Sequence, residues 1–320
     1  MNTIPPFRIR ASAIGTIMTE PKGKSIATKI KELEAKIIEA TEKWATIREG
    51  LKSKAITAER VEKLKAERER LLPYKDAPHL SQSCITYLEK WCNEWVYARR
   101  LEFTSKQTDK GNLVEGDAIV YACGHIPDMG LPSKNQKSFR EDEWIQGTPD
   151  VLAEEYVFDV KSSWTHDTFP LYCSEIPNTD YDWQVKGYMH LTGKRKGRVL
   201  FVLMSMPEEM LRKEARWKLG QEFTEAQFME WAAQYQYDDL PPCLRLKEYE
   251  VDWDDEAIEA VKRRVLECRA YIQDSIIPAL KINAAKYGDD VEEEPQQVLH
   301  MHTNPNSGKI SALSSGCIEG

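Results

Sequence analysis

The sequence has no CxxC pair, no long apolar run and no basic-then-apolar leader, and each absence removes a class of protein. Its 7 cysteines (Cys84, Cys92, Cys123, Cys173, Cys243, Cys268 and Cys317) are scattered and odd in number. That pattern argues against a disulfide framework and against a zinc knuckle. The closely spaced thiols of many iron–sulfur sites are missing too, so reduced and mostly buried thiols are expected. No stretch approaches the roughly 18 apolar residues that a membrane helix requires. Met1-Asn2-Thr3-Ile4-Pro5-Pro6 lacks the layout of a signal peptide, and a cytoplasmic protein without membrane contact is expected. Net positive charge is lacking as well: 44 Lys and Arg stand against 52 Asp and Glu, for a net charge of −8. This argues against a protein that coats nucleic acid by bulk electrostatics. It leaves room for a local basic channel around an acidic metal site.

What is present is a chain of 320 residues, 41% hydrophobic and 30% charged, which suits one or two domains with long charged helices. Residues 1 to 24 read as an extended opening. From Ser25, Ile26, Ile30, Leu33, Ile37 and Ile38 recur at helical steps, and a second helix runs from about Thr57 to Leu72, where Pro73 ends it. Together they predict an antiparallel helical hairpin, read as a scaffold or partner-binding arm. Ser81 is placed to cap a third helix to about Arg100, and a fourth spans Asp109 to Cys123. Short strands follow at Glu143 to Gly147, Asp150 to Ala153 and Tyr156 to Lys161, with Glu154-Glu155 at a hairpin turn. Tyr181 to Leu191 returns to helix, and Arg198 to Met206 has the apolar character of a central buried strand. Helices over about Glu208 to Leu219 and Thr224 to Tyr235, an edge strand over Leu246 to Val251 and a long closing helix over Asp254 to Lys286 complete the body. Residues 288 to 320 are acidic, then rich in Ser, Gly and Asn, and read as a disordered tail.

The segment that carries chemistry is Gly147-Thr148-Pro149-Asp150 followed by Phe158-Asp159-Val160-Lys161-Ser162-Ser163. A turn delivers one carboxylate, and a strand delivers a second, two residues before a lysine. Residues i and i+2 of a strand share a face, so Asp159 and Lys161 point together while Val160 turns into the core. Paired strands would bring Asp150 beside Asp159. Two converging carboxylates form a hard-oxygen site suited to Mg²⁺ or Mn²⁺, and an ammonium beside them can orient water and stabilise charge on a phosphate. The plainer reading is a Lys161 that pairs with Asp159 or Asp150 on a solvated hairpin. The Gly-x-Pro-Asp turn, the apolar strand around Asp159 and the helix downstream weigh against it.

This segment resembles the PD-(D/E)xK nuclease signature, with Pro149-Asp150 and Asp159-Val160-Lys161 in the matching places. Gln184-Val185-Lys186-Gly187-Tyr188 is similar to the QxxxY element of the RecB-type and phage lambda exonuclease-like (YqaJ-like) branch. Lys110-Gly111-Asn112-Leu113-Val114-Glu115 resembles the helical acidic residue of that branch, and the segment around Ser12 looks like the opening of its phage-type members. Order and spacing fit over roughly residues 105 to 205. Some relatives carry His at the place of Glu115 and some carry Glu at that of Asp159. The cysteines of helicase-linked relatives are absent, so no iron–sulfur cluster is expected.

The resemblance implies an α/β (α+β), restriction-endonuclease-like core, a mixed central sheet flanked by helices. The domain plan is then an N-terminal segment and hairpin over 1–80, a nuclease domain over 81–287 and a tail over 288–320. It also implies one or two Mg²⁺ or Mn²⁺ ions held by Glu115, Asp150, Asp159 and the Val160 carbonyl. Lys161 would position or activate water, and Gln184 and Tyr188 would brace the site or touch DNA. The expected activity is exonucleolytic hydrolysis at duplex DNA ends, of the phage recombination kind, inside a bacterial host. A single-strand annealing partner and a homo-oligomer are left open, as are an endonuclease on the same core and an inert DNA-binding or scaffold protein.

Further DNA contacts are less specific. Ser162 and Ser163 could bond a phosphate or merely cap the strand end. Trp164 could stack on a base, whereas Trp183 reads as core. His125 and His166 read as surface residues before ligands. Lys194, Arg195, Lys196 and Arg198 form a basic knot suited to phosphate contact. Arg99, Arg100, Lys106 and Lys110 could line the opposite wall, with Lys134, Lys137 and Arg140 as weaker candidates.

Overall fold

The computed structural model describes residues 4–101, 105–131 and 133–287. The expected tail at 288–320 and Pro132 of the expected loop lie outside them. Two compact units divide the chain, residues 1–278 and 279–320. Of the second, the described residues 279–287 are helical; all that follows concerns the first.

The opening is not simply extended. Strand β1 (Ile9–Arg10) leads through a short turn into helix α1 (Ile14–Met18), which buries Ile14 and Ile17. Five residues are too few for a helical period to show in sequence; packing stabilises this turn rather than propensity. Helices α2 (Ile26–Thr46) and α3 (Lys52–Leu71) then form the expected hairpin. Ser25 Oγ caps α2 by accepting the Thr28 N–H at 3.1 Å. Ile30, Leu33 and Ala40 of α2 and Val61 of α3 are buried, and most of α3 stays polar.

Ser81 caps α4 (Gln82–Val96) and Ser105 caps α5 (Lys106–Cys123), each accepting an N–H three residues on at 3.1 Å. Helix α4 stops short of Arg100, and Ala98 takes a positive φ of 48° just past its end. Strand β2 (Ile145–Gln146) pairs parallel with β1. The main sheet holds β3 (Val151–Leu152), β4 (Tyr156–Ser162), β5 and β6 in that spatial order. Helix α6 (Thr179–Thr192) joins β4 to its parallel neighbour β5 (Lys196–Val202), which is the central strand expected from its apolar run. Helices α7 (Glu208–Lys218) and α8 (Glu225–Ala232) precede the antiparallel edge strand β6 (Leu246–Asp252). Helix α9 (Asp255–Tyr271) ends in a π turn at 272–276. The wide turn ends two residues before Pro278, which has no N–H to offer an α-helical ladder. No helix among the described residues is long and apolar enough to cross a membrane.

The mixed sheet is covered on both faces. Phe158 and Val160 of β4, with Leu200 and Val202 of β5, pack against Ala118, Ile119 and Ala122 of α5. The alternate residues Val157, Val199 and Phe201 pack against Val185 and Met189 of α6. Gly197 lets α6 lie this close: a Cβ there would stand 2.3 Å from Val185 Cγ1 and 3.2 Å from Met189 Sδ. Period two in β4 therefore decides the site. Its even residues fill the α5 face, and its odd residues Asp159 and Lys161 face α6.

Candidate active site

Asp159 lies in the middle of β4 with no exposed surface. Its Oδ1 accepts a 2.8 Å hydrogen bond from Gln184 Nε2, one turn along α6 from Tyr188. The same amide nitrogen donates to Tyr188 Oη at 2.8 Å. Gln184 and Tyr188, both buried, are four apart and so share one helix face. Lys161 Nζ stands 2.8 Å from Asp159 Oδ2, donates to Gln184 Oε1 at 3.3 Å and lies 4.9 Å over the ring of Tyr181. Burial alone would lower the Lys161 pKa, yet the charges of Asp159 and Asp150 outweigh it and hold the ammonium protonated. Burial, then Asp159 and Asp150, push the Tyr188 phenol well above its ordinary value.

Asp150 reaches the cluster from the turn before β3. The β3–β4 ladder ends at the Val151–Phe158 pair. Beyond it, the Val160 N–H donates to Asp150 Oδ2 at 2.7 Å instead of to a strand. In a strand the N–H and C=O of one residue point to the same edge, so the Val160 carbonyl faces this open edge as well. Burial, followed by the charge of Asp159, pushes the Asp150 carboxyl up to about 8. Lys161 and the Val160 N–H offset part of that, and Glu115 adds to it.

Glu115 comes from α5, across the edge of the sheet, and its carboxylate is paired with Lys134. The loop carrying Lys134 is tied to the Asp150 turn: Asn135 N–H donates to Asp150 O at 2.8 Å and Asn135 Nδ2 to Pro149 O at 2.9 Å. Among the described residues no three His, Cys, Asp or Glu side chains converge into a ready ligand group. The donors at the edge nonetheless fit a hard divalent ion. Asp159 Oδ2 is buried and meets the Lys161 ammonium at 2.8 Å, Asp150 is a second carboxylate crowded by its charge, and the Val160 carbonyl shares their edge. Two crowded carboxylates in a dry site call for a cation, and Lys161 supplies one charge of that kind.

The residues expected to touch DNA divide differently. Lys110 is fully buried and donates to the carbonyls of Ser163, Trp164 and Met204 at 2.7–2.8 Å. It cannot line a channel wall, and desolvation lowers its pKa to about 8. The basic knot lies at the wrong end of the sheet. Lys196 pairs with Tyr156 while Phe201 pairs with Lys161, a five-residue offset of roughly 16 Å. Its charges are also engaged: Lys194 with the Glu154 carbonyl, Arg195 with Asp255 and Trp253, and Lys196 with Glu155. Arg198 bonds Asp128, Glu248 and Glu250 and lies on Tyr156. Ser163 is buried with an unpartnered hydroxyl, and Trp164 packs on Met206, Leu211 and Phe228 of a third apolar cluster. Ser162 ends β4 half-buried, Lys106 pairs with Glu214, and Arg99 and Arg100 are exposed. Trp183 is partly buried against the main core, as expected, and His125 and His166 are exposed.

Sequence reasoning missed the contacts of Lys134 with Glu115 and of Tyr181 with Lys161, which only tertiary placement makes. It missed too the pair Asp142–His190, 48 residues apart, whose Oδ2 and Nε2 are 3.0 Å apart and which ties α6 to the approach to β2. Gly147, which opens the expected Gly-x-Pro-Asp turn, has a packing reason that only the structure gives: a Cβ there would meet Tyr188 Cε1 at 2.9 Å.

The chain is similar to solved structures. A phage-related exonuclease from Haemophilus somnus 129PT is similar over 86% of this chain and 97% of that one, with a TM-score of 0.56 and 19% identity. An alkaline exonuclease (LHK-Exo) from Laribacter hongkongensis matches over 64% of this chain and 87% of its own, at a TM-score of 0.44 and 15% identity. No family model and no curated protein matches the sequence. The first likeness establishes the fold: this chain is built as the phage-related exonuclease is, on the mixed α/β core that its motifs led one to expect.

Proposed function

We propose that the chain is a divalent-metal-dependent nuclease acting as an exonuclease on duplex DNA ends. The observation that carries this reading is the cluster of Asp150, Asp159, Lys161, Gln184 and Tyr188 at the open edge of β4. It stands in a fold shared with a phage-related exonuclease. Asp150, Asp159 and the Val160 carbonyl would hold Mg²⁺ or Mn²⁺, with Glu115 added once it leaves Lys134. A bound ion would lower the pKa of an attacking water and neutralise charge on the phosphate. Lys161, kept charged by two carboxylates, would orient that water and meet the developing negative charge. Gln184 fixes both Asp159 and Lys161, so their geometry is set before substrate arrives. Tyr188, held protonated by its surroundings, anchors Gln184.

The test is digestion of linear and closed-circular duplex DNA with Mg²⁺, with Lys161→Ala as control. Loss of the linear substrate alone, abolished by the substitution, is the expected result. Cutting of the circle would make the protein an endonuclease, and no Lys161-dependent cutting in Mg²⁺ or Mn²⁺ would refute the nuclease reading.

A further inference from the structure

Lys110 stands on the second turn of α5 with no exposed surface. Its ammonium has three hydrogens and three carbonyl acceptors: Ser163 O at 2.8 Å, Trp164 O at 2.8 Å and Met204 O at 2.7 Å. Burying an ammonium without a carboxylate partner is expensive, and a place near a helix N-terminus adds dipole repulsion. A methionine would fill the same space without that penalty, so packing alone does not explain the charge.

The position does. The parallel ladder of β4 and β5 ends at Ser162 and Val202, and one last hydrogen bond runs from Ser163 N–H to Val202 O at 3.2 Å. There the two chains part, and their buried carbonyls need donors that no strand supplies. Lys110 fills this fork. Farther along the same helix, Arg245 lies 4.2 Å over the Tyr121 ring while donating to Leu203 O at 3.1 Å. Helix α5 is thus fastened to the strand ends through Lys110 and through Tyr121. Glu115 sits between them, roughly 8 Å along the axis from one and 9 Å from the other.

We propose that Lys110 is a positioning residue, which sets where Glu115 stands relative to Asp150 and Asp159 by tying α5 to the fork between β4 and β5. The proposal rests on the nuclease reading in one respect, that these three carboxylates serve one divalent ion.

The experiment is Mn²⁺ binding to metal-free protein, followed by the electron-spin signal of free Mn²⁺, for the unaltered chain, Asp159→Asn, Lys110→Met, Glu115→Gln and the Lys110→Met, Glu115→Gln double variant. Circular dichroism confirms that each is folded. Lys110→Met is expected to weaken Mn²⁺ binding about tenfold, and to add less than about twofold in the Glu115→Gln background. Should Lys110→Met not fold, Lys110→Arg, which keeps the charge and displaces the donors, carries the same cycle. Unchanged Mn²⁺ affinity in a folded Lys110 variant, or losses that simply add, would overturn the positioning role alone. Absence of Asp159-dependent Mn²⁺ binding in the unaltered chain would refute the nuclease reading, and this role with it.

Discussion

Lys134 pairs with the carboxylate of Glu115, so a lysine of the loop before β2 occupies the group proposed above to complete a metal shell. The pair is partly exposed, at 50% for the lysine and 20% for the glutamate, and its energy is therefore about 1 kcal/mol or less. Lys134→Ala is expected to tighten Mn²⁺ binding by up to about fivefold in calorimetry. In a Glu115→Gln background the gain should vanish. An equal gain in both backgrounds would mean general repulsion between Lys134 and the ion rather than competition for Glu115.

Removing Lys161 leaves Asp150 and Asp159 crowded with no buried counter-charge. In chelator, Lys161→Ala should lose about 3 kcal/mol of stability, as when one partner of a buried pair is deleted. Thermal melts with and without Mn²⁺ read the effect, because a divalent ion can replace the missing charge. A loss of the same size in both conditions would assign Lys161 to packing alone.

Two glycines should respond in opposite directions. Gly197→Ala places a methyl 2.3 Å from Val185 Cγ1, between the sheet and α6, and should cost about 2 kcal/mol by overpacking. At Gly111, inside α5, an added Cβ meets nothing within 4 Å. There alanine should stabilise by about 0.5–1 kcal/mol through helix propensity. Urea titrations of the two variants decide both signs.

Acid should weaken the tie between α6 and the approach to β2. Burial raises the Asp142 pKa, but the N–H groups of Ile145 and Trp144, with His190, outweigh it and the net shift is downward. A carboxylate with a lowered folded pKa stabilises above its unfolded pKa of about 3.9, and that contribution fades as pH falls through the folded value. Asp142→Asn should therefore be about 1 kcal/mol less stable at neutral pH. Its difference from the unaltered chain should shrink below about pH 4 in equilibrium unfolding. A constant difference across that range would reject the linkage.

The strand alternation at Val157, Phe158, Asp159, Val160 and Lys161 was readable because period two is a local property. The Ser81 cap of α4 and the start of α2 after Ser25 were local too, whereas α3 and α5 begin several residues before the expected Thr57 and Asp109. What sequence could not convey was direction and depth. Lys110 looks like any basic residue on a polar helix, and only the fork of β4 and β5 turns it inward. The run from Lys194 to Arg198 looks like a phosphate clamp, and only strand register reveals that it lies at the hairpin-turn end, away from Lys161. Helix α1 is legible only once its seat against α6 is known.

The early end of the β3–β4 ladder has a meaning for solubility. Residues 159 to 162 leave one strand margin without a neighbouring strand, a place where another chain could add itself and begin aggregation. Asp150 occupies the Val160 N–H that such an intruder would need, and it brings a charge along. The opening that could admit a phosphodiester is thereby closed to a foreign β-strand. Asp150→Ala should make the protein prone to self-association as well as poor at binding metal, and light scattering would detect the first effect independently of the second.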